Sequence, residues 1–332
     1  MNPPISCVTG GTGFVGTHLV RRLISEGHEV RVLARNPEKA RSLFGDQVKV
    51  VAGDLGNEDA LTECVGGADF VFHLAAHIGY FGRKELFYQT NVEGSKRLLD
   101  IAEAHNIKRF VFMSTNAVIG YKREKVTDES TPYSYRSGLS GITKIITEKD
   151  ILERYKKNGF PGVILRPSII YGPGCYFYIL RPLELIKAGK MSLIGGGKGI
   201  CWHIYIDNLV DAVLQVAEDE RAVGEIFTLS DNKIDTTWKE YFNALAEAAG
   251  FPPIKKNMPK WLALCLSYMM YALHKTLGIK PLMTPMAVGI MTSESGLSIE
   301  KAKKVLNYSP RIDLEEGMKR VGRWLKEAGH LD

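Results

Sequence analysis

Cysteine is scarce in this 332-residue chain. The five that occur, Cys7, Cys64, Cys175, Cys201 and Cys265, are scattered, odd in number and never spaced as Cys-x-x-Cys. That excludes a disulfide framework, argues against a zinc site, and suits reduced, buried thiols. No apolar run approaches the roughly 20 residues that a membrane span requires. Met1-Asn2-Pro3-Pro4 holds no basic stretch ahead of an apolar core, so no secretory leader and a cytoplasmic protein are expected. Tandem repeats and low-complexity tracts are absent. A net charge of +6 over the whole chain is too diffuse for a nucleic-acid partner. What remains, 45% hydrophobic and 24% charged residues, is an ordinary globular composition with a large core.

Against that background the stretch Val8-Thr9-Gly10-Gly11-Thr12-Gly13-Phe14-Val15-Gly16 stands out. It follows the apolar run Ile5–Val8 and opens a helical period through Phe14, Val15, Leu19, Val20, Leu23 and Ile24. Strand, glycine turn and helix in that order bind a dinucleotide pyrophosphate. Gly10 permits the tight turn, Gly13 lets backbone approach the phosphates, and Gly16 lets the helix lie close to the strand. The helix N-terminus presents free N–H groups to the anion.

Further strands are expected at Glu29–Leu33, Val48–Val51, Phe70–His73, Phe110–Ser114, Val163–Arg166 and Glu225–Leu229. Helical periods run through Gly16–Glu26, Ala60–Cys64, Tyr88–His105 and Leu139–Lys156. This alternation specifies an α/β fold, a doubly wound parallel sheet with right-handed crossovers. The rhythm changes near Gly172. We expect residues 1–172 to form the dinucleotide-binding domain. Residues 173–332 should form mainly a smaller C-terminal substrate-binding lobe, with about 203–230 returning to the first domain.

At the end of the second strand an acid would hold the ribose hydroxyls of NAD. Here Arg35 stands there, followed by Lys39 and Arg41. A guanidinium stacks on adenine and pairs with a 2′-phosphate, so NADP is favoured over NAD. Asp54, followed by Leu55, is placed to accept from the adenine amino group, or else to cap the next helix. Leu74, Ala75 and Ala76 are small enough to let the cofactor backbone pass.

With Thr9–Gly16, Gly53-Asp54-Leu55, His73–Ala76, Asn91–Gly94, Ser114-Thr115, Lys144, Arg166-Pro167-Ser168, Tyr171–Gly174 and His203–Ala212 in this order, the chain resembles the extended short-chain dehydrogenase/reductases over nearly its whole length. Within them it is most similar to the branch of 3β-hydroxysteroid dehydrogenases, 2-alkyl-3-oxoalkanoate reductases and dihydroflavonol reductases. The resemblance implies a Rossmann domain and nicotinamide contacts near Pro167 and Ser168. It further implies a ribose contact from Lys144, a substrate-oxygen partner in Thr115 and a relay role for Asn91. It also implies a possible homodimer through the helices at Tyr88–His105 and Leu139–Lys156.

The family's proton donor is Tyr-x-x-x-Lys on one helix, where the lysine lowers the phenol pKa. Four residues before Lys144 this chain has Ser140. Three routes stand open: a relay through Ser140 or a water, supported by Lys144 and Thr115; a tyrosine from elsewhere, Tyr133 or Tyr135 first and Tyr171 or Tyr176 more distantly; or a non-catalytic dinucleotide-binding module. Nucleotide-sugar members usually carry Arg-Asp just before the segment aligned with His203–Asn208, whereas this chain has Cys201-Trp202. The apolar run Trp261–Leu273, flanked by lysines, fits a lipid-like substrate or peripheral contact with a membrane. The leading expectation is therefore an oxidoreductase for a hydroxy or keto group on a sterol-like or long-chain β-keto/β-hydroxy substrate, with a nucleotide-sugar epimerase/dehydratase as the alternative. His77 and Asp207 are read first as structural residues.

The Arg35 argument predicts that paired titrations find NADPH bound roughly tenfold tighter than NADH, the worth of one charge-assisted contact. Equal affinities would remove it.

Overall fold

The structure, a computed structural model, describes residues 2–79, 82–120, 126–231, 235–279, 281 and 283–331. In the first half β1 (Ile5–Thr9), β2 (Glu29–Ala34), β3 (Val48–Ala52), β4 (Phe70–His73) and β5 (Arg109–Met113) alternate with α1 (Phe14–Ser25), α2 (Pro37–Phe44), α3 (Glu58–Val65), α4 (Lys84–Tyr88) and α5 (Ser95–Ala104). Then come β6 (Val126–Thr127), α6 (Gly138–Asn158), β7 (Gly162–Pro167), β8 (Ile169–Tyr171), α7 (Arg181–Lys187), β9 (Leu193–Ile194), β10 (His203–Tyr205), α8 (Ile206–Glu218) and β11 (Ile226–Leu229). The chain continues through α9 (Trp238–Ala248), β12 (Asn257–Met258), α10 (Lys260–Leu277), α11 (Pro285–Met291), β13 (Gly296–Leu297), α12 (Glu300–Leu306) and α13 (Leu314–Glu327).

Seven strands form one parallel sheet in the order β11-β7-β5-β4-β1-β2-β3. Every residue of β5 and β7 is buried, which is why Phe110–Met113 and Val163–Leu165 read as apolar runs, with Arg109 and Arg166 buried at their ends. Successive residues of a strand feed opposite faces. Val8, Val32 and Phe72 pack with Leu19 and Leu209 on one side. Cys7, Leu33 and Val71 pack with Leu61 and Leu98 on the other. The sheet order reverses beside β1, and the crevice beyond its carboxyl end is where such folds bind ligands.

Helix α2 is absent from the expectation above, although its start is written in the sequence. The Asn36 side chain accepts from Lys39 N at 3.0 Å, and Pro37 takes the first helical position. Beyond the main sheet, short parallel pairs join β8 with β10, β9 with β12 and β6 with β13, and α9 to α13 follow in the C-terminal part of the chain.

A Cβ at Gly16 would overlap the Gly10 carbonyl oxygen. Gly16→Ala should therefore lower stability by about 1–3 kcal/mol in denaturant titration, as overpacking does. Gly27→Ala has open space but a φ of +82°, so its loss should come from backbone strain alone and be smaller.

Candidate dinucleotide and substrate site

The glycines of the turn are needed for different reasons. Gly10 has φ +74°, and a Cβ there would lie 2.7 Å from Ala75 N. At Gly11, which the motif reading passed over, a Cβ would lie 2.8 Å from Val32 Cγ1. Gly13 has an ordinary φ of −84°, and its nearest neighbour would be Gly10 O at 3.3 Å. The protein interior thus makes its weakest demand at Gly13, which leaves room for a phosphate. Gly13 also begins α1 without a side-chain cap, so the first-turn N–H groups gain no capping side chain among the described residues. From the lobe side, Pro173 O pairs with His18 Nε2 at 3.0 Å and Gly174 lies against the Phe14 ring, while Val15 is half-buried.

At the end of β2, Arg35 and Lys39 are exposed and make no ion pair among the described residues, whereas Arg41 is held by Glu38. Asp54 is exposed and accepts from Gly56 N at 2.8 Å. Capping of α3 falls to Asn57, which accepts from Ala60 N at 3.0 Å. Leu55 is buried beneath Gly94, where a Cβ would come within 2.6 Å of the Leu55 Cβ. Leu74, Ala75 and Ala76 are half-buried along the crevice.

Behind the turn runs a buried hydrogen-bond chain whose direction is determined. Ser95 Oγ donates to Asn91 O at 2.7 Å, so it must accept from His73 Nε2 at 2.8 Å. His73 Nδ1 is then the acceptor for Thr9 Oγ1 at 2.7 Å, and Thr9 accepts from Ala75 N at 3.3 Å. Burial, followed by the nearby Lys144 cation, drives the His73 pKa well down, which agrees with a neutral ring. The chain ends in a π-helical turn, Gln89–Gly94, whose wider pitch frees the Asn91 carbonyl. Thr147 Oγ1 of α6 also donates to that carbonyl, at 2.9 Å. The Asn91 side chain accepts from His77 N at 2.6 Å and donates to His77 O and Thr143 Oγ1, both at 2.9 Å. His77 itself packs edge-on against Phe87.

Helix α6 presents Ser140 and Lys144 one turn apart. Ser140 Oγ makes no hydrogen bond among the described residues. The buried Lys144 Nζ donates to Met113 O at 2.6 Å and lies 4.4 Å from the centre of the Phe112 ring. Burial pulls its pKa down to about 7, with Glu148 opposing. Thr115 Oγ1 accepts from Ala117 N at 3.2 Å, which leaves its proton free to donate. Pro167 is buried at the end of β7, and Ser168 N donates to Leu229 O at 2.9 Å. The Ser168 hydroxyl and both amide atoms of Asn116 are buried with no partner among the described residues. Unmet buried polar groups, an uncapped helix start and the open face of Gly13 fit a nicotinamide dinucleotide.

The substitute tyrosines are engaged elsewhere. Tyr133 OH donates to Glu148 Oε2 at 2.9 Å, and burial together with that carboxylate raises its pKa. Glu148, which motif reading missed, is fully buried. It receives Arg166 Nη2 at 2.6 Å, Arg166 Nε at 3.1 and 3.2 Å, and the Ser114 hydroxyl. Its spacing of four from Lys144 was the available signal. Tyr135 is exposed and accepts from Lys149 Nζ at 2.8 Å. Tyr171 is buried against Tyr205 and Tyr241, and Tyr176 is half exposed. Asp207 pairs with Arg320 at 3.2 Å, a structural contact.

Residues 6–230 match the NAD dependent epimerase/dehydratase family. A 3-beta-hydroxysteroid dehydrogenase from Mycolicibacterium neoaurum is 30% identical over 335 residues, covering 94% of this chain and 88% of that protein. A 2-alkyl-3-oxoalkanoate reductase from Shewanella oneidensis is 29% identical, covering 95% and 84%. Among solved structures, UDP-glucose 4-epimerase from Thermotoga maritima with UDP-glucose superposes with a TM-score of 0.79 at 23% identity, covering 98% of this chain and 99% of that one. UDP-glucuronic acid 4-epimerase from Bacillus cereus in complex with NAD gives 0.78 at 20% identity with the same coverage. At those identities the two structures establish the shared fold.

An unfolded lysine titrates near 10.4. With Lys144 near 7 in the folded chain, the unfolded chain holds the extra proton between those values, so this group makes stability rise with pH. Between pH 7 and 9.5, wild type should gain about 1–3 kcal/mol relative to Lys144→Met in denaturant titrations. Parallel pH dependences would place the lysine in water.

Proposed function

We propose that this chain, which belongs to the NAD dependent epimerase/dehydratase family, is an NADP-preferring dehydrogenase or reductase for a hydrophobic hydroxy or keto compound. Its class is that of the family and the curated relatives, an NAD(P)-dependent oxidoreductase or epimerase acting at a hydroxy or keto carbon. The finer reading rests foremost on the wall behind Thr115. Val118 and Ile119, which follow that residue, pack with Ile145 and the buried Trp202. Trp202 Nε1 donates to Ser295 O at 2.6 Å, and Cys201 is buried in the core. Where nucleotide-sugar members usually carry an arginine, this chain has an apolar interior. The names of the two curated relatives point the same way, to a steroid and an oxoalkanoate.

The bound dinucleotide supplies the hydride acceptor or donor. The N-terminus of α1 and the open face of Gly13 receive its pyrophosphate. Arg35 and Lys39 take the 2′-phosphate, Asp54 the adenine amino group, and Ser168 the nicotinamide end. Lys144 holds the proton that the missing tyrosine would have held, because a group with a pKa near 7 is poised for acid–base work at neutral pH. Ser140 or a water on it carries that proton to the substrate oxygen, and Thr115 orients the oxygen by donating its hydroxyl. Asn91 acts through position, holding α6 by Thr143 and its carbonyl.

A second reading, a nucleotide-sugar epimerase or dehydratase, is favoured by solved structures of this fold in complex with UDP-sugars, two of them also with NAD. A substrate panel separates the two. Turnover of 3-keto steroids or long-chain β-keto esters with NADPH supports the first, and conversion of UDP-glucose supports the second. Bound cofactor with no turnover of either returns the chain to a binding module.

Ser140→Tyr should raise turnover roughly 10- to 100-fold if the remaining constellation is intact. An unchanged rate with cofactor still bound would show a repurposed pocket. Reduction by wild type should slow as pH rises past about 7, where Lys144 loses its proton, and Lys144→Met should abolish it.

A further inference from the structure

A surface helix ordinarily buries its large apolar side chains and turns charge to water. Helix α10 sets Leu264 against the body but turns several of its largest apolar side chains outward. Its fully buried residues are Ala263 and Ser267, and Ala263 rests against Ile194 and Val288. Large side chains face outward: Trp261 is 66% exposed, Tyr268 62% and Met269 53%. With the exposed Cys265 and Ala272 they recur at three- and four-residue spacing, which places them on one face. No charge interrupts the thirteen residues Trp261–Leu273. That stripe runs about 20 Å at 1.5 Å per residue, short of the roughly 30 Å hydrocarbon layer. Among the described residues no helix is long and apolar enough to cross a membrane.

The charge that averages to a diffuse +6 is concentrated here. From Phe251 to Ser293 the chain has five lysines, no arginine and no acidic residue. Lys255, Lys256, Lys260 and Lys275 are exposed and form no ion pair among the described residues, while Lys280 lies outside them. Two copies meeting through this face would set lysines against lysines with no carboxylate between them. An anionic lipid surface offers the complement to both the lysines and the apolar stripe.

We propose that α10 lies in the plane of an anionic membrane surface, with Trp261, Tyr268 and Met269 in the headgroup boundary and the surrounding lysines on lipid phosphates. The inference is independent of the catalytic reading, since docking is measured without substrate.

Flotation of the purified chain with phosphatidylcholine vesicles, with and without phosphatidylglycerol, tests it. Binding should need the anionic lipid and weaken roughly tenfold or more when Lys255, Lys256 and Lys260 become glutamine. The triple variant Trp261→Ser, Tyr268→Ser, Met269→Ser should lose binding while keeping the thermal midpoint. Should that variant fail to fold, wild-type tryptophan emission decides. Trp202 and Trp238 are already buried, so a blue shift on anionic vesicles that Trp261→Phe removes supports docking. Failure to float, undiminished binding by the folded triple variant, an unshifted emission, or a dimer in light scattering that the triple variant abolishes would each overturn the proposal.

Discussion

The site depends on one buried, direction-fixed chain of hydrogen bonds, from Ala75 N through Thr9, His73 and Ser95 to the carbonyl of Asn91. Each member has a single proton to give, so the chain admits one tautomer of His73 and one arrangement of its neighbours. It ties the strand that carries the glycine turn to the π-helical turn that holds α6. Asn91 spends both its carbonyl and its amide on this junction. Removing any member would leave a buried polar group unmet, at a cost of about 1–3 kcal/mol. The distance between the turn and Lys144 is thus set by groups that need never touch a ligand.

Charge is distributed in the same spirit. Glu148 and Arg166 are buried together, and Ser114 and Tyr133 donate to the carboxylate, while Arg166 Nη1 is left without a partner among the described residues. A buried pair of this kind adds little net stability, yet losing one partner is expensive, so it defines geometry. It also sets a carboxylate one turn from Lys144, and that opposes the desolvation which lowers the lysine's pKa. Burial thus pulls the Lys144 pKa down to about 7, one helical turn from a Ser140 hydroxyl that makes no hydrogen bond among the described residues.

Outside the crevice, α10 separates stability from interaction. Only Ala263 and Ser267 are fully buried, with Leu264 packed beside them, while Trp261, Tyr268 and Met269 face out, so the helix contributes little core for its size.

Much of the architecture was legible along the chain. The glycine spacing, the two-residue strand pattern and the helical periods specified a doubly wound sheet and a dinucleotide turn, because these depend on local backbone chemistry. Arg35 and the absence of tyrosine at 140 were equally plain. The engagement of Tyr133 with Glu148, the saturation of Asn91 and the packing of Trp202 behind Thr115 were not, since each joins residues far apart in sequence. The lysines flanking the apolar run of α10 were readable too, but not which of its side chains face solvent. Sequence alone determined the fold, the family and the kind of cofactor, through motifs that work over a few residues. Only the tertiary structure decided which hydroxyls stand free, how far burial shifts Lys144 and which face of α10 meets solvent, because those follow from long-range packing.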